Sequence, residues 1–153
     1  MKLLELFAGS CSISNEAKKL GWETFTIDKE PFEGIDLVKD IEFITPIDIS
    51  IRPDVIWASP PCTTYSIAGI SHHRDLQIHG VDRITTNKTD FANKSDRLIK
   101  KMLQLIEFYD CKYFIENPRG LLRKIDMMRG LPRVTVWYCQ YGDDRAKPTD
   151  IWT

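Results

Sequence analysis

Four short runs place reactive or ligand-binding side chains where an apolar stretch ends. The sharpest is Ser59-Pro60-Pro61-Cys62-Thr63-Thr64-Tyr65-Ser66, in which a rigid diproline presents one thiol just beyond Val55-Ile56-Trp57-Ala58. A cysteine attacks as its thiolate, which needs access and nearby positive charge, and a loop at a strand end can provide both. Glu116-Asn117-Pro118 sets a carboxyl beyond Lys112-Tyr113-Phe114-Ile115. A partly desolvated Glu can share a proton with a ring nitrogen; the plainer reading is a cap on a helix opened by Pro118. Phe7-Ala8-Gly9-Ser10-Cys11-Ser12 reads as strand, turn and helix start, where backbone amides can meet an anion or a carboxylate. Asp28, about twenty residues beyond Gly9, has the position of an acid that accepts hydrogen bonds from both ribose hydroxyls of a nucleoside cofactor. The plainer reading of that pair is a generic turn followed by a surface aspartate.

An alternating frame must position these residues. Leu3–Phe7, Thr24–Ile27, Val55–Ala58, Lys112–Ile115 and Val134–Cys139 read as strands, with a short strand or turn near Val38–Ile41. Diproline cannot continue a central ladder, so the third run stops at Ser59. Helices are expected after Gly9, with Ser12 or Ser14 as N-cap and Gly21 as C-cap, and over Leu98, Met102, Leu105 and Tyr109, which share a face. Pro118 is expected to open a helix carrying Leu121, Leu122 and Ile125, closed by Gly130. Residues 66–93 have no clear period and read as a long functional loop. The pattern predicts one α/β domain over residues 1–153: a mostly parallel sheet with helices on both faces, a three-layer Rossmann-like arrangement. Ligands in such sheets sit at the carboxyl ends of the strands. Gly9-Ser10, Asp28, Pro61-Cys62, Glu116-Asn117 and Gln140 should therefore share one rim.

Composition narrows the class. Apolar residues make up 42% and charged residues 28%, as in a folded globular chain. No apolar run approaches bilayer length, and Met1-Lys2-Leu3-Leu4-Glu5 lacks a signal-peptide pattern. Cys11, Cys62, Cys111 and Cys139 lack metal-ligand spacing, and reduced thiols in the cytoplasm are the simpler expectation. Cys62 apart, these cysteines are expected to be buried and inert. His72-His73 reads as a solvated pair, and no metal is expected. The formal net charge of -1 hides an asymmetry: residues 1–60 carry six Lys/Arg against eleven Asp/Glu, and residues 94–133 carry ten against five. The basic stretch suits a polyanion-facing surface, although ordinary solvated helix faces are the plainer reading.

Taken in order, these runs resemble the DNA cytosine-5 methyltransferases, particularly the compact versions of phages and prophages. Leu6-Phe7-Ala8-Gly9 resembles the family's cofactor motif, Asp28 its ribose-binding acid and Asp40-Ile41 its adenine-contacting pair. Pro60-Pro61-Cys62 with Ser66 matches the nucleophile motif, and Glu116-Asn117 the Glu-Asn motif. Gln140, Arg145 and Lys147 approximate a later glutamine-and-basic motif. The resemblance runs from Leu4 to Trp152. It departs from the family pattern at Ser10-Cys11-Ser12, where a second glycine is usual, at Lys147, where arginine is usual, and in the long spacing from Gln140 to Arg145.

The resemblance implies S-adenosylmethionine as cofactor, held by Phe7, Ala8, Gly9, Ser12, Asp28, Asp40, Ile41 and Pro61, and DNA as partner. It implies that Cys62 attacks the base, Glu116 serves the ring nitrogen, Asn117 orients Glu116 or the Pro-Pro-Cys loop, and Arg145 contacts the base or its backbone. Residues 66–93, with His72, His73, Arg74, Arg83 and Lys88, would close over DNA. The family's target-recognition domain and last motif are expected to be absent, so DNA binding should be weak and poorly selective. An apolar strand at Ile151-Trp152, left at or near a sheet edge, would favour a homodimer or a partner subunit. Two alternatives stay open: the same chemistry on RNA or a free cytosine nucleotide, and a catalytically silent nucleic-acid-binding relative.

Overall fold

Leu3, Leu4 and Leu6 are all buried although neighbours in a strand face opposite ways, so their strand must be covered on both sides. It is β1 (Lys2–Leu6), the third strand of a seven-stranded sheet. The computed structural model describes residues 1–79 and 82–153, the side chains of residues 76–84 excepted. After β1 come α1 (Ser12–Lys19), β2 (Glu23–Asp28), β3 (Leu37–Val38), β4 (Val55–Ala58), α2 (Ile70–His73), β5 (Arg74–His79), β6 (Asp82–Asn87), α3 (Asp90–Tyr109), β7 (Lys112–Pro118), β8 (Arg133–Trp137) and β9 (Pro148–Trp152), with short 3-10 turns between some of them. The sheet order is β3-β2-β1-β4-β7-β9-β8. The ladders joining β3 to β7 are parallel, and β9 is antiparallel to both its neighbours. This is the mostly parallel α/β, Rossmann-like sheet that the strand and helix pattern predicts.

The two faces have separate partners. Leu4, Leu6, Ile56 and Ile115 pack with Leu98, Ile99, Met102 and Leu105 of α3 in the main core. Burying each such aliphatic side chain stabilises the fold by about 1.5–3 kcal/mol before entropy is counted. Leu3 and Val55 meet Ala17 of α1 on the other face, with Trp57 and Phe114 beside them. The chain winds outward from β1 to β2 and β3, then crosses back to β4 on the other side of β1, so the crevice beyond β1 and β4 is a topological switch point.

Several expectations are corrected. Neither Ser12 nor Ser14 caps α1. The N-cap is Cys11, at a left-handed φ of 55°, and the free Ser14 amide donates to the buried Glu5 carboxylate of β1 at 2.8 Å. Strand β1 thus supplies the negative charge that the helix N-terminus favours. Residues 66–93 are not an aperiodic loop. They hold α2, an antiparallel hairpin of β5 and β6 registered from Arg74↔Asn87 to His79↔Asp82, and the first turn of α3, which Thr89 caps. The side chain of Arg83, expected to approach DNA, lies outside the described residues. Pro118 opens no helix: it is the last residue of β7, in register with Thr149 of β9, and residues 121–128 form two 3-10 turns broken by the extended Ile125. Ile151-Trp152 is not at an edge. β9 lies between β7 and β8, Trp152 is fully buried, and the edge strand is β8. The edge on which self-association was expected is therefore already paired. Cys139 is exposed and Cys111 half-buried, against the expectation of burial; only Cys11 is sealed.

Candidate active site

The rim is built from the residues that leave β1, β2, β4 and β7. At the end of β1 the chain turns sharply, with Phe7 and Cys11 both in the left-handed region that non-glycine residues seldom occupy. The turn brings the Gly9 amide to Asp28 Oδ2 at 3.0 Å, and the Glu30 amide reaches Asp28 Oδ1, also at 3.0 Å. A carboxylate has about four lone-pair sites, so two accepted bonds leave capacity facing the crevice. Asp40 caps the 3-10 turn that follows it by accepting from the Glu42 amide at 3.0 Å, and Lys94 Nζ donates to its other oxygen at 2.7 Å. Burial pushes the Asp40 carboxyl up, but the Lys94 and Glu42 hydrogen bonds outweigh it and hold the group below its ordinary value.

A cavity of about 410 Å³ opens between these carboxylates, bounded by Phe7, Ile41, Pro61 and the α3 residue Leu98. That size, with apolar walls and a few placed polar groups, suits a small-molecule cofactor. Of the residues expected to bind cofactor, Phe7, Asp28, Asp40, Ile41 and Pro61 line it. Gly9 acts behind Asp28, Ala8 is buried, and Ser12 is exposed at the start of α1. Phe91, Lys94, Ser95 and Leu98 were missed as wall residues. Their spacing of three and four along α3 puts them on one face, which was the available signal.

Cys62 directly follows Pro61 of the cavity wall. Cys62 is half-buried, and its carbonyl accepts the Tyr65 amide at 2.9 Å and the Ser66 amide at 2.8 Å, folding residues 62–66 into a tight turn. Asn117, fully buried, donates Nδ2 to the Pro60 carbonyl at 2.8 Å. Two glycines let neighbouring backbone approach the turn. A Cβ on Gly69 would lie 2.2 Å from the Thr63 carbonyl oxygen, and one on Gly120 2.4 Å from that of Tyr65. Glu116, next to Asn117 on β7, accepts the Tyr138 hydroxyl at 3.0 Å. Burial, then the Glu116 charge, pushes the Tyr138 phenol up, so it stays a donor. Lys147 stands 4.7 Å above the Tyr138 ring.

Arg145 is not drawn into this group. It is exposed, forks onto Asp143 and holds that carboxyl down at about 2. Gln140 is exposed in the 3-10 turn Tyr138–Tyr141. Tyr138, missed in the sequence, occupies the Glu116 contact instead; an aromatic just past a β-strand gave no distinguishing signal. Among the described residues no cluster of His, Cys, Asp and Glu could hold a metal ion, and no helix is long and apolar enough to cross a membrane.

The strand order and the sequence order of Pro-Pro-Cys and Glu-Asn at neighbouring strand ends agree with the match of residues 2–129 to the model of the C-5 cytosine-specific DNA methylases. The chain belongs to this family. It is 30% identical over 158 aligned residues to the probable DNA (cytosine-5)-methyltransferase of Frog virus 3 (isolate Goorha), covering 100% of this chain and 70% of the viral protein. As a C-5 cytosine methylase it is an enzyme of DNA cytosine methylation, and enzymes of this family generally use S-adenosylmethionine.

Proposed function

We propose that this methylase transfers the methyl group of S-adenosylmethionine to carbon 5 of a cytosine in DNA through a covalent adduct on Cys62. The observation that carries the reading is the Asn117–Pro60 hydrogen bond, which ties the strand end bearing Glu116 to the loop bearing Cys62 beside the Asp28–Asp40 cavity. Asp28 would bind the ribose of the cofactor, Asp40 and Ile41 the adenine, and Phe7 and Pro61 the apolar edges. Bound there, S-adenosylmethionine supplies an electrophilic methyl group.

The target cytosine leaves the duplex stack and enters the rim, since its ring cannot be reached inside the helix. The Cys62 thiolate forms a bond to carbon 6. The electron pair of the 5,6 double bond moves to carbon 5, and Glu116 meets the charge on the ring with a hydrogen bond or proton at nitrogen 3. Tyr138 fixes one Glu116 oxygen, leaving the other for the base. Once carbon 5 has taken the methyl group, with the C–S bond pair left on the cofactor sulfur as a neutral thioether, loss of the carbon 5 proton to solvent water restores the double bond and expels the Cys62 thiolate. Free thiols suit the cytoplasm, where reducing conditions keep them reduced.

The test is trapping. DNA containing 5-fluorocytosine has no carbon 5 proton to lose, so with S-adenosylmethionine it should form a denaturation-resistant adduct with the wild type and none with Cys62→Ala. An adduct of equal yield on Cys62→Ala would remove Cys62 from the mechanism. A parallel assay with RNA and dCMP should show no transfer of labelled methyl.

A further inference from the structure

The turn that carries Cys62 is held on its far side by a buried guanidinium. Arg74 opens β5, and its side chain is 1% exposed. Nε donates to the Thr64 carbonyl at 3.0 Å. Nη2 donates to Thr64 Oγ1 at 3.2 Å and to Asp96 Oδ1 at 2.8 Å, and Nη1 to Asp96 Oδ2 at 3.1 Å and Asn87 Oδ1 at 2.6 Å. All five donors of the guanidinium are thus used, on groups from the nucleophile turn, the end of β6 and α3. Asp96 is equally saturated, because its oxygens also accept from the Tyr65 hydroxyl at 2.8 Å and Asn87 Nδ2 at 2.7 Å. The guanidinium carbon stands 4.5 Å above the Tyr65 ring.

A buried ion pair is a poor source of stability, since desolvation offsets its attraction, but a fully satisfied one allows few alternative arrangements. Here that fixity falls on Thr64 and Tyr65, two and three residues beyond Cys62. The Tyr65 amide in turn holds the Cys62 carbonyl. The same guanidinium grips Asn87, so both strands of the hairpin are rooted on the nucleophile turn.

We propose that Arg74 is a positioning residue for Cys62: through Thr64 and Tyr65 it sets the attack position of the thiol, and it couples that position to the β5–β6 hairpin. The proposal rests on Cys62 being the nucleophile. Arg74→Lys keeps the charge and loses the fork. Thr64→Val keeps the shape and removes one acceptor.

Adduct formation on 5-fluorocytosine DNA would be followed in a single turnover at saturating DNA, together with S-adenosylmethionine affinity, DNA affinity and melting temperature. The expected result is adduct formation slowed at least tenfold in Arg74→Lys and severalfold in Thr64→Val, with both affinities within twofold of wild type. A merely structural role would lower the melting temperature and weaken binding in step with the rate. Adduct formation at the wild-type rate in both variants overturns the proposal, and should Arg74→Lys fail to fold, Thr64→Val decides alone. Should the wild type itself form no adduct, the reading of Cys62 falls, and with it this one; a wild type that reacts beside variants that react equally well removes only the role of Arg74.

Discussion

Asn117 and Pro60 are joined by a single hydrogen bond of 2.8 Å, buried from solvent, between the side chain of one rim strand and the backbone of the loop leaving its neighbour. The parallel register that sets Ala58 against Ile115 makes the bond reachable, since the two chains leave the sheet side by side. The Pro60 carbonyl can only accept, so the bond requires the Asn117 Nδ2 as donor.

Asn117→Asp should therefore turn an attraction into a repulsion between acceptors. The cost is about 1–3 kcal/mol for a buried group left unpaired, and the carboxylate charge adds to it. Adduct formation should slow at least tenfold and the melting temperature should fall. Unchanged values for both would show that the bond holds nothing in place.

Asp28→Ala should weaken S-adenosylmethionine binding by about 1–3 kcal/mol, the loss of charge-assisted hydrogen bonds. The Gly9 and Glu30 amides also lose their acceptor, so the turn that bounds the cavity should loosen. Calorimetry that finds wild-type affinity would move the cofactor out of this crevice.

Asp96 links acidity to stability. Burial pushes its carboxyl up, but the hydrogen bonds from Arg74, Asn87 and Tyr65 outweigh burial and hold it below the ordinary value. A group depressed in the folded state contributes stability that is present above its unfolded pKa, about 3.9, and is lost as pH falls through the folded value. Wild type should lose stability below about pH 4 more steeply than Asp96→Asn, which has no proton to gain. Parallel acid-unfolding curves for the two proteins would contradict this.

Where apolar runs meet a hard stop, the sequence was readable. Val55–Ala58 ends at diproline, Leu98 to Tyr109 keeps a helical stripe, and the rim positions Asp28, Cys62 and Glu116 follow directly. The hairpin was not readable because its anchor is inverted: the residue that buries deepest at its root is Arg74, paired in register with Asn87, and neither marks a core face in an apolar pattern. The 3-10 turns after Pro118 escaped for a different reason. Leu121, Leu122 and Ile125 have helical spacing, but Pro118 stays paired in β7 and Ile125 is extended, so the segment breaks into two short turns. Arg145, given a contact with the base or its backbone by likeness to a motif, is exposed and paired with the neighbouring Asp143.

The order of β7, β9 and β8 across the sheet also governs how the molecule comes into being. On the ribosome β8 is made before β9, yet in the sheet it is bonded only to β9. Until residues 148–152 emerge, β8 has no strand to join, and the β7 flank opposite β4 stays open along Ile115 to Pro118. Asp150 of β9 then receives Arg123 and Thr135, fastening the segment after β7 and the strand β8 in one event. The backbone bearing Glu116 and Asn117 is therefore completed by β9, which follows β8 in the chain, so a nascent chain can assemble the crevice bounded by β1, β2 and β4 before it can close the β7 end of the rim.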